Sequence, residues 1–212
     1  MLSDADRQRA CFAPNDPVEF GHLNYSLKGT IVRLNPKRAV VQVDDEQFSV
    51  LYHRLKPDSR HVEARVKKIE AIHQSAIDLL HTHGLERWQF QFDHSTRRAG
   101  CCDFRKKTIS LSFNLAQSDL VEDIRDTLLH EIAHALVGRK HHHDAIWKEM
   151  ALKIGCCGER THTLQFAPPR WSVTCENHCW SHTAQQRSSR LICRTCGGQL
   201  IYSPYSLNTD SI

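Results

Sequence analysis

The 212-residue sequence has no apolar run longer than a few residues. A helix that crosses a bilayer needs about 20 consecutive apolar residues, so no spanning segment and no membrane partner are expected. The start, MLSDADRQRACF, is charged and lacks the apolar core of a secretory signal. These two absences predict a cytosolic protein, nucleoid-associated or, in a cell with a nucleus, nuclear. Thiols stay reduced there, so the nine cysteines read as metal ligands or buried apolar groups before disulfides. A strong excess of one charge is missing too. The net charge of +4 permits a nucleic-acid partner without arguing for one. What is abundant is histidine, with 15 residues, and the site argument starts from that excess.

The chain divides into three parts. In residues 13–57, short β-type runs (PVEFG, GTIVRLN, AVVQVDD, QFSVLYHRL) alternate with turn material. Strands this short and close predict a small closed β-barrel, with a spacing that resembles SH3-like or Tudor-like modules. LKPDS then links to a helix. Residues 60–165 form the second part. Val62, Val66, Ile69, Ala76 and Leu80 share one helical stripe over 60–83, and Gly84 is a stop signal. WQFQF and KTISLSFN alternate as strands, the second carrying Ile109, Leu111 and Phe113 on one side. RRAGCCDFRK between them leads into another short strand. Ser118 or Asp119 is expected to cap the next helix, with Glu122 in a capping box and Leu120, Ile124, Leu128, Ile132 and Ala135 as its apolar stripe. Gly138 ends it, and DAIWKEMALKIG reads as a further helix. Residues 168–205 are cysteine-rich and poor in apolar residues, so this part needs something other than a core of its own. The polar tail from about Ser206 is expected to fray.

The chemistry sits in HEIAHALVGRKHHHDAIW, residues 130–147. Residues four apart on a helix share a face, so His130 and His134 can aim two imidazoles at one ion. Glu131 points about a hundred degrees away and can reach water beside that ion, which is why H-E-x-x-H serves zinc peptidases with the glutamate as general base. A catalytic site needs a third ligand. Val137 and Lys140 exclude the metzincin pattern; the histidines at 141–143 and Glu149 remain as sources. Asp123, Asp126 and Thr127, one or two turns earlier, are placed to orient a ligand or to face solvent.

DTLLHEIAHALVG followed by HDAIWKEMALKIG resembles the SprT-like family of zinc metallopeptidases, which includes Spartan-type proteases. The resemblance covers about residues 60 to 202. It implies a zincin-like core of helix, short sheet, H-E-x-x-H helix and further helix, and so an α+β fold with the N-terminal barrel and a C-terminal zinc ribbon. It implies that His143, four before Trp147, is the third ligand of a catalytic zinc with His130 and His134, and that Glu131 is the catalytic base. The family's glycine after that histidine is Asp144 here, which suits an N-cap. A strand beside the cleft is expected to pair with an extended protein substrate.

CENHCW and CRTCGG form a second, structural metal site. Cys193 and Cys196 give C-x-x-C, with glycines that let amides turn toward the thiolates. Cys175 pairs with either His178 or Cys179. The family's ribbons include C-x-x-H halves, so the resemblance favours Cys175, His178, Cys193 and Cys196, with Cys179 in reserve. The adjacent pairs Cys101–Cys102 and Cys156–Cys157 read as buried thiols, since neighbours on a strand face opposite ways.

The expected function is zinc-dependent hydrolysis of peptide bonds. By the resemblance, the substrates are DNA-associated or DNA-crosslinked proteins, with Arg97, Arg98, Arg105, Lys106 and Lys107 as a DNA-contacting run. The alternative is a noncatalytic zinc-containing DNA-binding adaptor, which would have no need of Glu131.

Overall fold

A computed structural model describes residues 2–159 and 164–207. It is a mixed α+β fold with three sheets. Helix α1 (Asp4–Ala10) precedes strands β1 (Pro17–His22), β2 (Tyr25–Leu34), β3 (Arg38–Val43), β4 (Glu46–Leu51) and β5 (Leu55–Lys56). Then come α2 (Ser59–Thr82), β6 (Gln89–Asp93), β7 (Gly100–Asp103), β8 (Thr108–Ser112), α3 (Phe113–Gln117), α4 (Val121–Val137) and α5 (Ala145–Lys153). Strands β9 (Trp171–Cys175), β10 (Ser181–Ala184) and β11 (Leu200–Pro204) follow. No helix among the described residues is long and apolar enough to cross a membrane. Residues 208–212 of the polar tail lie outside the described residues.

The N-terminal strands form an antiparallel sheet in the order β4-β3-β2-β1-β5. Pairing of β4 with β5, which would close the expected barrel, is not seen among the described residues, and the five strands form a half-barrel sheet. Alternating Val, Ile and Phe face one side and build a core with Val18, Phe20, Ile31, Val41 and Val50, sealed by Phe12 and Tyr52 stacked at 5.6 Å.

A second core holds the rest of the fold together. Ile69, Ala76 and Leu80 of α2 meet Ile109 and Leu111 of β8 and Ile124, Leu128 and Ile132 of α4. The small sheet has the order β6-β8-β7, with β8 parallel to β6 and antiparallel to β7. All five residues of β8 are buried, Ile109 and Leu111 in the central core and the Ser110 and Ser112 hydroxyls donating to the Asp93 carboxylate and the Ser95 carbonyl. Phe113, expected on that strand, instead opens α3.

Two other expectations are corrected. Helix α4 starts at Val121 with Leu120 at its N-cap and no side-chain cap bond. The Ser118 hydroxyl donates to the Leu115 carbonyl and accepts from the Leu120 amide at 3.4 Å, one residue ahead of the helix, and the Asp119 carboxylate turns to Lys68 at 3.2 Å. The first residues, read only as charged, form α1, and Arg9 on it is 1 % exposed. Its guanidinium donates to the Leu34 carbonyl at 3.1 Å, lies 4.3 Å from the Phe113 ring centroid and meets His94. One cation thus joins the N-terminal sheet to the central core. Asp16 paired with Arg65, and Gln117 donating to the Phe12 carbonyl at 2.6 Å, add to the join.

Candidate metal centre and cleft

Helix α4 turns one stripe, Ile124, Leu128 and Ile132, into the core and leaves His130 and His134 one turn apart at its border. Gly138 stops the helix at φ +88°, a backbone that favours glycine, and lets the chain double back. Asp144 then accepts from the Trp147 amide at 3.0 Å and starts α5. Its φ is −81°, so the position needs no glycine.

This hairpin brings His143 over α4. The His143 Nε2 lies 3.0 Å from that of His130 and 3.2 Å from that of His134. Zinc held tetrahedrally by imidazoles at about 2.0–2.1 Å would space its ligand nitrogens by about 3.3 Å, so the three rings fit one such ion. His141 turns aside to Asp144 at 2.8 Å, His142 is exposed, and Glu149 lies outside the cluster. The Trp147 ring, 1 % exposed, is the floor under all three imidazoles, with its centroid 4.7, 5.3 and 4.6 Å from those of His130, His134 and His143. Burial, and then the neighbouring His143, push the His134 pKa down to about 4. The ring is therefore neutral, as a ligand must be.

Glu131 leaves the same helix toward β7, an edge strand of the small sheet. It is buried, and burial pushes its pKa up to about 7, against Arg98 and a hydrogen bond from the Cys102 amide, which pull it down. Gly100 makes room for it. A Cβ there would lie 2.8 Å from the Glu131 Cγ and 2.9 Å from its Oε1. The three histidines, Glu131 and Gly100–Cys102 all line one cleft of about 520 Å³. A buried carboxylic acid poised near neutrality beside a three-imidazole metal cradle can move protons to and from a bound substrate.

Residues 69–167 match the SprT-like family. This part of the chain is a SprT-like domain. It contains α4, the loop with His143, and all but the start of α2. No curated protein and no solved structure matches the chain.

Around the SprT-like cleft, Arg97 and Arg98 reach the rim, joined by Arg139, which the sequence did not single out. Arg98 is engaged with Asp93 at 2.8 Å. Arg105, Lys106 and Lys107 are exposed on the β7–β8 turn and do not line the cleft. Gly100 was also missed; its only signal was a glycine inside a strand pattern, which marks a close approach. Of the residues proposed to orient ligands, Thr127 is buried against Gly100 and Asp126 sits one turn before His130. Asp126 accepts from the Cys157 amide at 2.6 Å and its thiol at 2.9 Å. Burial would raise its pKa, but these bonds bring it below the usual value. Cys156 and Cys157 lie in the turn after α5, not on a strand. Both thiols can therefore face Asp126, and Cys157 is exposed where a buried thiol is expected. Cys101 and Cys102 do lie on β7, half-buried.

Beyond the SprT-like domain, the β10-β9-β11 sheet carries the second donor group. It consists of Cys175, Cys179, Cys193 and Cys196. His178, favoured by the resemblance, is not part of it. The backbone turns sharply at His178, with φ +52° and its amide on the Cys175 carbonyl at 2.8 Å; the side chain is exposed, and the thiol of Cys179 joins the other three. The glycine knuckle behaves as expected, with Gly198 donating to the Cys196 sulfur at 3.4 Å and Asn177 to that of Cys175 at 3.4 Å. For Cys193, burial raises the pKa, but the amides of Cys196 and Thr195 outweigh it and bring it down to about 6. Four thiols with amide support suit a closed structural zinc site.

Proposed function

We propose that the chain is a zinc-dependent metalloendopeptidase. The carrying observation is that Glu131 enters the same cleft as the His130, His134 and His143 nitrogens while standing outside the ligand cluster itself. A zinc ion on the three imidazoles would supply the Lewis acid that peptide hydrolysis needs. Glu131 then accepts a proton from the attacking water and returns it to the leaving amine. Its pKa near neutrality suits both steps. Trp147 and the α4–α5 hairpin hold the imidazoles, and the β7 edge offers backbone groups to an extended substrate in a zincin-like arrangement. In this reading residues 13–57 are a small barrel-like module, 60–165 the peptidase core and 168–205 a ribbon closed by a second, structural zinc.

The proposed substrates are DNA-associated or DNA-crosslinked proteins. Support comes from the family resemblance and from cations next to the cleft: Arg97 and Arg98 on its rim, with Arg105, Lys106 and Lys107 on the turn beyond β7. The test uses the zinc-loaded full chain and its Glu131→Gln variant, with and without single-stranded DNA. Self-cleavage and cleavage of a DNA-bound protein are followed on gels. Cleavage by the wild type alone, at equal zinc content, is expected. Equal DNA binding with no cleavage by either would sink the peptidase and favour a zinc-containing DNA-binding adaptor.

A further inference from the structure

A second cavity, also about 520 Å³, lies where the N-terminal sheet, the loop before β7 and the start of the C-terminal sheet meet. Its lining includes Arg33, Arg97, Arg170 and His94, beside neutral Asn114 and Gln186. No aspartate or glutamate lines it among the described residues. The three arginines make no ion pair among the described residues. Arg33 is half-buried, and its Nε and Nη1 have neither water access nor a hydrogen-bond partner among the described residues. Its pKa is lowered, first by burial and then by the charge of Arg170. A half-buried guanidinium with unmade bonds and a like charge beside it is costly. An anion in the cavity would offset the like charge.

The backbone presents these side chains. Register along β2 slips between Ile31 and Arg33, a bulge at buried Val32 that re-aims the residue after it. Arg170 is tied on both sides, with its amide on the Ala184 carbonyl at 3.1 Å and its own carbonyl accepting from Tyr205 at 3.0 Å. His94 is occupied by Arg9, and burial lowers its pKa, so the positive charge comes from the arginines.

We propose that this junction is a phosphate-binding site, for a free phosphate or one esterified in a nucleic-acid strand. A carboxylate would balance one guanidinium. A phosphate offers several oxygens to several forked donors. The cavity has room for more than one such group. Arg97 lines both this cavity and the metal cleft, so an occupant would hold the loop that continues into the cleft edge at Gly100–Cys102. The site stands whether or not the cleft cleaves peptides.

Calorimetric titration of the zinc-loaded full chain with inorganic phosphate, and separately with a short single-stranded oligonucleotide, tests this. At least one probe should bind saturably. Arg33→Gln and Arg170→Gln should each weaken it by about tenfold or more, as expected for a lost charged hydrogen bond, while Arg170→Lys loses less. Arg60→Gln, exposed and distant on α2, should bind as the wild type. Arg170 is exposed, so its variants do not depend on the fold tolerating a change in β2. Loss of oligonucleotide binding assigns an esterified phosphate; loss of phosphate binding alone assigns the free anion. The proposal is overturned if neither probe saturates, or if both glutamine variants bind like the wild type.

Discussion

Gly100 and Glu131 are in contact across the β7–α4 junction, and the contact leaves no space for even one methyl group. A Cβ at position 100 would come within 2.8 Å of the Thr127 Cγ2 as well as of the Glu131 Cγ. Both neighbours are fixed on α4, so Gly100→Ala must move either the strand or the carboxylate. Displacing a catalytic group by about 1 Å can cost a hundredfold in rate. Gly100→Ala is expected to keep its zinc and lose about that much kcat/KM. Unchanged kcat/KM would show that the Glu131 position does not matter.

The burial of Glu131 also sets how stability responds to pH. Its folded pKa, about 7, lies above the unfolded value near 4.5. The folded state therefore binds the extra proton at this position, and the contribution of Glu131 to the stability of the metal-free protein falls as pH rises from about 4.5 through 7. Glu131→Gln removes that loss. In metal-free protein the variant should gain up to about 3 kcal/mol relative to wild type at pH 8 and nothing at pH 4. Urea denaturation at the two pH values measures it. Zinc should shrink the difference, because a nearby cation favours the carboxylate.

Much of this was legible because local pattern and tertiary role agreed. The N-terminal strands alternate Val and Ile, the Gly84, Gly138 and Gly155 stops each fall at a positive φ, and Asp144 caps α5 as expected. What escaped was decided by contacts distant in sequence. Helix α1 has no apolar stripe, and its anchor is Arg9, which a sequence view places in solvent. The β8 strand is buried on both faces, so its alternation says nothing about where it ends or that α3 follows. The third histidine came from resemblance. Spacing alone left three neighbours open until the turn to Asp144 removed His141.

Trp147 makes a third prediction. It touches all three imidazoles, yet it cannot ligate an ion, and its Nε1 is buried without a partner among the described residues. Its role is packing. Trp147→Ala should destabilise the fold by about 3–5 kcal/mol and leave a cavity under the ligands. Trp147→Phe keeps most of the floor and should recover most of the stability. Zinc affinity, measured by competition with a chromogenic chelator, should fall in the same order. If the alanine variant bound zinc as tightly as wild type, the hairpin alone would be holding the rings.

The four-cysteine group separates two sequence readings that spacing could not. Val173, Cys175 and Cys193 are the buried apolar residues and thiols of the C-terminal sheet, whereas Leu191, Ile192 and Ile201 are exposed. So small a core is little to hold three strands, and a metal on the four thiols would contribute folding energy directly. Cys179→Ser removes one of four thiolates. It should lower the zinc content by about one equivalent and expose the segment to protease, because an open structural site does not keep its ion. His178→Ala removes an exposed side chain and should change neither. The φ of +52° at position 178 makes asparagine the gentler substitution, since its short polar side chain tolerates that region. His178→Asn should therefore match wild type in stability as well. If His178→Ala lost zinc and Cys179→Ser kept it, the ligand set would be the C-x-x-H form. The turn at His178 would then have to reverse, swinging its ring inward and Cys179 outward.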